Sequence, residues 1–428
     1  MNRKMKDSGV EWIGEIPEDW EVSKIKYVTN ELYTGATPQS ENDDFYSDIG
    51  IPFVTISDMS CNDFVEVTKK SITEQGQEDK KLKILPKGTI LYSIYATIGK
   101  VSELNIDACI NLALLAILHN ETLNKNYLKY SLKSMESYVL SQCFLSSQNN
   151  LNTSKVKNFN ILIPCNEKQK LIAETLDKKC TQIDALIQNQ QQQIEKLKQY
   201  KQSLITETVT KGLEPNVPMK DSGVEWIGEI PENWEVNRIK YICEFNPSNK
   251  NKFLDSQIIS YSPMECIKNG YMINQEIQVS NLVSGLTYFE ENDILMAKVT
   301  PCFENGNIAI ANNLTNGVGY GSSELFVFRT LSVNRKWLFY FLRNTKFTDL
   351  AKSTMTGTGG LKRVSPIFVK NLLLAVPPLE EQEKIVNYLD KKCSQIDNLI
   401  KIKEEKIQKL NDYKKSIIYE YVTGKKEA

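Results

Sequence analysis

Apolar residues recur at alternating steps of three and four along two separate stretches of this chain. In the first they fall at Ala173, Leu176, Cys180, Ile183, Ile187, Ile194, Leu197 and Leu204. In the second they fall at Val386, Leu389, Cys393, Ile396, Ile400, Ile407, Leu410 and Ile417. Such spacing, kept over several heptads, predicts coiled-coil helices. At about 1.5 Å per residue, a helix of about 44 residues is about 66 Å long. Polar residues interrupt both seams at matched heptad positions, Gln190 with Lys403 and Lys201 with Lys414. Polar seam residues fix pairing register at some cost in stability. Two such helices in one chain, joined through a globular segment, pair most readily antiparallel.

Elsewhere the pattern shortens. Runs rich in β-branched and apolar residues predict strands at 51–56 (IPFVTI), 89–95 (TILYSIY) and 109–118 (CINLALLAIL). Near-helical spacing follows over 124–144, and a short strand at 158–163 ends at Pro164. A second stretch repeats this order with little identity: strands at 258–262, 293–299 and 324–329, a helix over 334–352, and NLLLAV at 371–376 running into Pro377 and Pro378.

The joints between these stretches are near-duplicates. About twenty of two dozen residues at 5–28 (MKDSGVEWIGEIPEDWEVSKIKYV) return at 219–242 (MKDSGVEWIGEIPENWEVNRIKYI). LDKKCTQIDALI at 176–187 returns as LDKKCSQIDNLI at 389–400. So long a period describes two copies of a whole domain plus connector, not a solenoid. The expected organisation is a conserved segment at 1–20, a variable domain at 21–163, a central helical region at 164–218, a second domain at 219–376 that opens with the repeated segment, and a C-terminal helix at 377–428. The fold class is α+β: two mixed α/β domains in a pseudo-two-fold arrangement, separated by two long antiparallel coiled-coil helices. A scaffold that keeps its joints and varies two inserts presents two binding surfaces to a two-part target.

Composition narrows the chemistry. With 428 residues, 41% apolar and 25% charged, the chain resembles an ordinary globular protein. No apolar run approaches the roughly 20 residues that span a bilayer, and MNRKMKDSGVEW has no apolar signal core. Cys61, Cys109, Cys143, Cys165, Cys180, Cys243, Cys266, Cys302 and Cys393 are scattered singly, with no CxxC and one histidine, His119. That usage argues against zinc and for a reducing cytoplasm. Basic and acidic side chains nearly balance, 52 against 53, so the bulk signature of a nucleic-acid binder is missing. The sequence shows no P-loop, no methyltransferase cofactor loop with an Asn/Asp-Pro-Pro-aromatic site, and no spaced carboxylates of a nuclease; Thr97-Ile98-Gly99-Lys100 and Asn246-Pro247-Ser248 are the nearest strings. His119 ends an apolar strand and reads as structural.

DSGVEWIGEIPEDWEV, the closing Ile163-Pro164, EKQKLIAETLDKKCTQIDALI, and the second joint with Pro377-Pro378-Leu379-Glu380-Glu381-Gln382 resemble the specificity (S) subunits of type I restriction-modification systems. The likeness covers essentially the whole chain. One departure is Pro164-Cys165-Asn166, where the family more often has Pro-Pro-Leu. The resemblance implies a non-catalytic subunit whose two target-recognition domains each read one half of a bipartite site in double-stranded DNA. It implies helices that act as spacer, and partners in the methylation (M) and restriction/translocase (R) subunits. S-adenosylmethionine, ATP and Mg are then expected on those partners, with no cofactor in this chain and no membrane association. The alternative is a scaffold that holds two protein ligands at a fixed distance.

Base edges are read by polar side chains on loops, whereas phosphates position the protein. The candidate DNA-binding residues of the first domain are Thr37 and Gln39, Ser93, Tyr95 and Thr97, then Gln148, Asn149 and Asn150, with Ser154 and Lys155. In the second they are Ser248, Asn249 and Lys250, Lys298 and Thr300, Ser322 and Ser323, and Thr356, Gly357 and Thr358 with Lys362 and Arg363. Caps and turns use the same residue types. Trp12, Trp20, Trp226 and Trp234 recur in the joints while the inserts diverge, which favours packing over base stacking. Because no cofactor loop is legible, the purified chain alone should bind no S-adenosylmethionine. Transfer of a radiolabelled methyl group to DNA by the isolated chain would refute this.

Overall fold

The computed structural model describes residues 3–59, 63–144, 151–249 and 253–428. The candidates Gln148, Asn149, Asn150 and Lys250 lie outside the described residues. The chain divides into two compact units, Met1–Gln190 with Glu405–Ala428, and Gln191–Glu404. The division cuts both long helices, Asn166–Lys211 and Leu379–Val422, so each unit owns part of each.

In the first unit the joint folds into a short hairpin, Met5–Asp7 against Glu15–Pro17. Glu21–Lys24 then pairs antiparallel with the closing strand Asn160–Ile163. Entry to and exit from the insert are thereby zipped side by side, and Pro164, which has no N–H, ends the ladder. The main sheet has the spatial order Thr29–Thr34, Leu114–His119, Ile90–Ser93, Val101–Leu104, Phe64–Val65. A second sheet holds Cys109–Ile110, Ile51–Val54, Lys70–Ile72 and Tyr46–Ser47. The expected strand at 109–118 is therefore two strands in different sheets. Asn111 separates them, its side-chain oxygen accepting from the Ala113 amide at 3.2 Å in a local turn.

The second unit repeats this plan. Met219–Asp221 pairs with Glu229–Pro231, and Glu235–Arg238 with the closing strand Leu373–Val376. Its main sheet runs Cys243–Phe245, Leu325–Thr330, Ile294–Ala297, Ile308–Ile310, beside a sheet of Gln275–Gln278, Ile258–Ser262, Val318–Gly321 and Thr287–Glu290. The helix expected over 334–352 is broken into Arg335–Phe341 and Thr345–Ser353, because Asn344 caps the second by accepting from the Phe347 amide at 2.8 Å. The helix expected over 124–144 is likewise two, Lys125–Ser134 and Glu136–Phe144.

Within each unit the long-helix segments run antiparallel, as their seams anticipate. Lys414 reaches Asp184 at 2.7 Å in the first unit, and Lys201 reaches Asp397 at 2.7 Å in the second. The internal repeat carries one ion pair onto the other, so the seam lysines set the same register twice. Neither helix pair stands free. Leu176, Cys180, Ile183 and Ile417 share a core with Trp20, Tyr127 and Leu128, and Leu389 and Cys393 share one with Trp234, Trp337 and Phe341. Each fully buried aliphatic side chain contributes about 1.5–3 kcal/mol.

The joint tryptophans are packing residues. Trp20 and Trp234 are buried, Trp12 stacks on Tyr138 at 5.3 Å, and Trp226 meets Phe341 edge-on at 6.4 Å. A compensated exchange distinguishes the two joints. Asp19 pairs with Lys168 at 2.6 Å in the first, whereas Asn233 donates to Glu381 at 3.1 Å in the second, where the Trp234 indole N–H also bonds Glu381 at 3.0 Å.

One glutamine fastens each insert to its long helix. Gln169, 1% exposed, accepts from the Asn124 amide at 2.7 Å and donates to the Pro164 carbonyl at 2.9 Å. Gln382, also 1% exposed, accepts from the Asn334 amide at 2.7 Å and donates to the Pro377 carbonyl at 2.7 Å. Asn124 and Asn334 are themselves the caps of the insert's first long helix. Gln382→Leu keeps the volume but strands a half-buried amide and a buried carbonyl. It should cost about 2–4 kcal/mol, at roughly 1–3 kcal/mol per orphaned group. Urea denaturation of the parent and variant measures this, and a change within about 0.5 kcal/mol, ordinary for a surface substitution, would contradict the assignment.

Candidate nucleic-acid interface

Strand register gathers the candidates at one end of each main sheet. In the first unit Thr34 lies opposite Leu115, and Leu114 opposite Ser93, so the last residue of one strand, the first of the next and the last of the third share an edge. The segment that precedes the closing strand returns to the same edge. The Leu151 amide donates to the Ile94 carbonyl at 3.1 Å, and the hydroxyls of Thr34 and Thr153 are 2.6 Å apart.

Of the candidates in this unit Gln39, Thr97, Ser154 and Lys155 are exposed, while Thr37 and Tyr95 are half-buried. Ser154 and Lys155 occupy the first turn of Thr153–Lys157, whose cap Asn152 accepts from the Lys155 amide at 2.9 Å. A Cβ on Gly35 would sit 2.2 Å from the Ile110 carbonyl oxygen, so only glycine lets the chain leave the sheet here. Ser93 is a correction. It is fully buried, accepts from the Lys100 amide at 2.9 Å and donates to the Thr97 carbonyl, so it closes the turn that displays Thr97.

The equivalent edge of the second unit lies where Ala297 faces Leu325 and Phe245 faces Phe328. Here a hairpin, Thr356–Thr358 with Leu361–Arg363, stands on the sheet end. Its loop residues Gly359 and Gly360 have φ of +62° and +80°, the positive pair that a two-residue type I′ loop demands. Thr300 is a second correction. It is 9% exposed and faces the hairpin, donating to the Gly360 carbonyl at 2.7 Å and accepting from the Lys362 amide at 2.9 Å. Its own amide bonds the Lys362 carbonyl at 2.9 Å, and the Val364 amide bonds the Lys298 carbonyl at 2.9 Å. Thr300 anchors the hairpin and is not a surface reader.

Thr356, Gly357, Thr358, Lys362 and Arg363 are exposed on that hairpin. Beside it the Lys298 ammonium donates to the Ser323 carbonyl at 2.6 Å and lies over the Phe326 ring at 5.6 Å. Ser323 is exposed, and the half-buried Ser322 hydroxyl accepts from the Glu324 amide at 3.2 Å. Ser248 is exposed, and the Asn249 side chain donates to the Tyr320 hydroxyl at 2.9 Å. Glu324 escaped the sequence reading altogether. It takes hydrogen bonds from Arg363 Nε at 2.9 and 3.0 Å and from Nη2 at 2.7 Å. Those bonds hold its carboxyl below the ordinary glutamate range; burial opposes them and the Lys298 charge assists. Nothing local marks that pairing, because the partners lie 39 residues apart in sequence.

Both edges offer hydroxyls, amides and cations suited to base edges and phosphates. Among the described residues no group of three or more His, Cys, Asp or Glu is arranged to hold a metal, and no helix is long and apolar enough to cross a membrane. Burial pushes the Cys109 thiol up to about 11 and the Cys243 thiol up to about 12, so neither is a ready thiolate nucleophile at neutral pH.

The pattern of the family described as "Type I restriction modification DNA specificity domain" matches residues 17–196 and again 231–421, together most of the chain. The EcoAI specificity subunit of Escherichia coli is 38% identical over 176 residues, 40% of this chain and 30% of that protein. The EcoEI subunit of the same species is 36% identical, again over only 30% of its length. The putative MjaX specificity subunit of Methanocaldococcus jannaschii is 28% identical across 96% of this chain and 95% of its own. A solved chain from work on assembly and conformational transition of the type I R-M system shares the fold, with a TM-score of 0.68 at 16% identity, covering 96% of this chain and 99% of that one. This chain belongs to the family of type I restriction-modification DNA specificity subunits, and carries the specificity domain twice.

Proposed function

We propose that the chain is the non-catalytic DNA-reading subunit of a type I restriction-modification complex. Each unit reads one half of an asymmetric, bipartite site in double-stranded DNA, and the long helices set the gap between the halves. Methylation subunits holding S-adenosylmethionine dock on the helices, and restriction/translocase subunits supply ATP- and Mg-dependent chemistry. One observation carries this reading. Equivalent sheet ends, hung on near-identical joints, display different side chains: Gln39, Thr97, Ser154 and Lys155 in one unit, Ser323, Thr356, Thr358, Lys362 and Arg363 in the other. Different donor and acceptor patterns select different bases.

Docking has its own support. Leu186 and Leu399 are each 47% exposed, and Tyr200 and Tyr413 are 56% and 52% exposed. All four directly precede a seam position, Ile187, Ile400, Lys201 and Lys414 respectively. In an antiparallel pair, positions of that kind on the two helices flank the same side of the seam. Leu186 with Tyr413 in one unit, and Leu399 with Tyr200 in the other, therefore form matching apolar patches suited to two copies of one partner. Leu186→Glu combined with Leu399→Glu should leave the melting temperature nearly unchanged yet abolish co-purification with the methylation subunit. Unaltered co-purification would remove the helices from that role.

Co-expression with the methylation subunit, followed by mapping of methylated adenines, tests the reading as a whole. An asymmetric two-part motif is expected; a palindrome, or no motif from a folded complex, would overturn it. The same assay tests the spacer. One heptad inserted after Gln193 and one after Lys406 keeps both seams in register and adds about 10 Å, or about three base pairs at 3.4 Å each. Both half-sites should stay the same while the gap widens by about that amount. An unchanged gap in an active variant would mean that the helices do not set it.

A further inference from the structure

We infer that Arg363 selects a guanine in the half-site of the second unit, and that Glu324 is the positioning residue that aims it. The inference rests on the DNA-reading function proposed above and deepens it. Its first support is a pinned backbone. Arg363 bridges Val299, Thr300 ties both the amide and the carbonyl of Lys362, and the two-glycine loop fixes the hairpin's register. A side chain rooted there starts from one place.

The second support is the way the guanidinium is held. Glu324 takes the edge formed by Nε and Nη2. An arginine has five N–H donors in a rigid plane. With that side edge engaged, the end edge of Nη1 and Nη2 still offers two parallel N–H groups. The side chain remains 48% exposed, so the end edge has room to meet a ligand.

Two parallel donors match one base. In the major groove guanine presents N7 and O6 as adjacent acceptors, adenine an acceptor beside a donor, thymine one acceptor beside a methyl, and cytosine a donor. A phosphate also accepts two such bonds, but it is drawn mainly by charge, and the Arg363–Glu324 pair is close to neutral. The carboxylate thus weakens attraction to any phosphate while leaving the directional donors in place. Lys362 is the contrast: it is exposed on the neighbouring strand position and joins no ion pair among the described residues. Consecutive strand residues face opposite ways, so a positioning cation and a base reader sit back to back.

The test uses the full chain with its methylation subunit and a duplex DNA library randomised across both half-sites, bound at two salt concentrations. The parent should fix a guanine in the half-site that responds to changes in the second unit. Arg363→Ala should relax that single position by roughly five- to a hundredfold, the discrimination of one bidentate contact, and leave the other half untouched. Arg363→Lys keeps the charge without the fork and should relax it nearly as much. Glu324→Gln should relax the same position partially and, by freeing the Arg363 charge, steepen the salt dependence of binding to other sequences. Lys362→Ala should weaken all sequences alike and flatten the salt slope. Parent-like melting temperatures would show that the variants fold. If Arg363→Ala instead weakened every sequence equally, Arg363 would be a phosphate contact and the inference would fail while DNA reading stood. A parent complex that enriched no two-part sequence would fail both.

Discussion

In each unit the long helix starts immediately after the closing strand, and the turn between them leaves backbone groups in an apolar setting with no ladder to pair them. An unpaired buried amide or carbonyl costs on the order of 1–3 kcal/mol. Gln169 and Gln382 meet that need with one side chain each, joining the proline carbonyl of the turn to the cap of an insert helix. The helix direction, the insert and the zipped strands are thereby made one rigid corner. Tyr130 on Asp177 at 2.7 Å and Tyr340 on Asp390 at 2.8 Å brace the same corner further along each helix. The edge that carries the candidate residues lies at the far end of strands rooted in this corner, so its placement depends on these few polar contacts.

A corner fixed in this way tolerates change elsewhere. The exchange of Asp19 and Lys168 for Asn233 and Glu381 replaces an ion pair with a pair of neutral-to-charged hydrogen bonds, and the strand pairing around it is the same in both units. The loops are under no such demand. Thr300 pins a hairpin in one unit, while in the other the equivalent strand end closes on Ser93 in a plain turn. One frame supports two unlike edges because the frame is held by the joint and not by the loops.

That division explains what the sequence could and could not disclose. Heptad spacing is local and periodic, so the two helices and the matched polar seam positions Lys201 and Lys414 were legible in the sequence, whereas their carboxylate partners Asp397 and Asp184 appear only in the fold. The repeat made the closing strands and packed tryptophans legible in the same way. Side-chain direction at strand ends has no such period. Ser93 and Thr300 look like exposed loop residues in sequence, yet both turn inward because a neighbouring backbone group needs a partner. Asn111 ends a strand inside an apolar run by a single side-chain bond. The Glu324–Arg363 pair joins segments that only the sheet brings together.

Charge sets the last constraint. A reader built from neutral or internally paired groups discriminates well but holds weakly, because grip on DNA comes chiefly from cations that displace counterions at phosphates. The chain as a whole has 52 basic and 53 acidic side chains, and at the second edge Arg363 is already engaged with a carboxylate. On the proposed function, this chain supplies selectivity with only a few cations of its own such as Lys362, and the docked methylation subunits would add to the phosphate contacts. Such a division of labour would have a physical advantage: a DNA-reading chain with a strong grip of its own would be held on non-specific DNA, whereas one with few free cations would not.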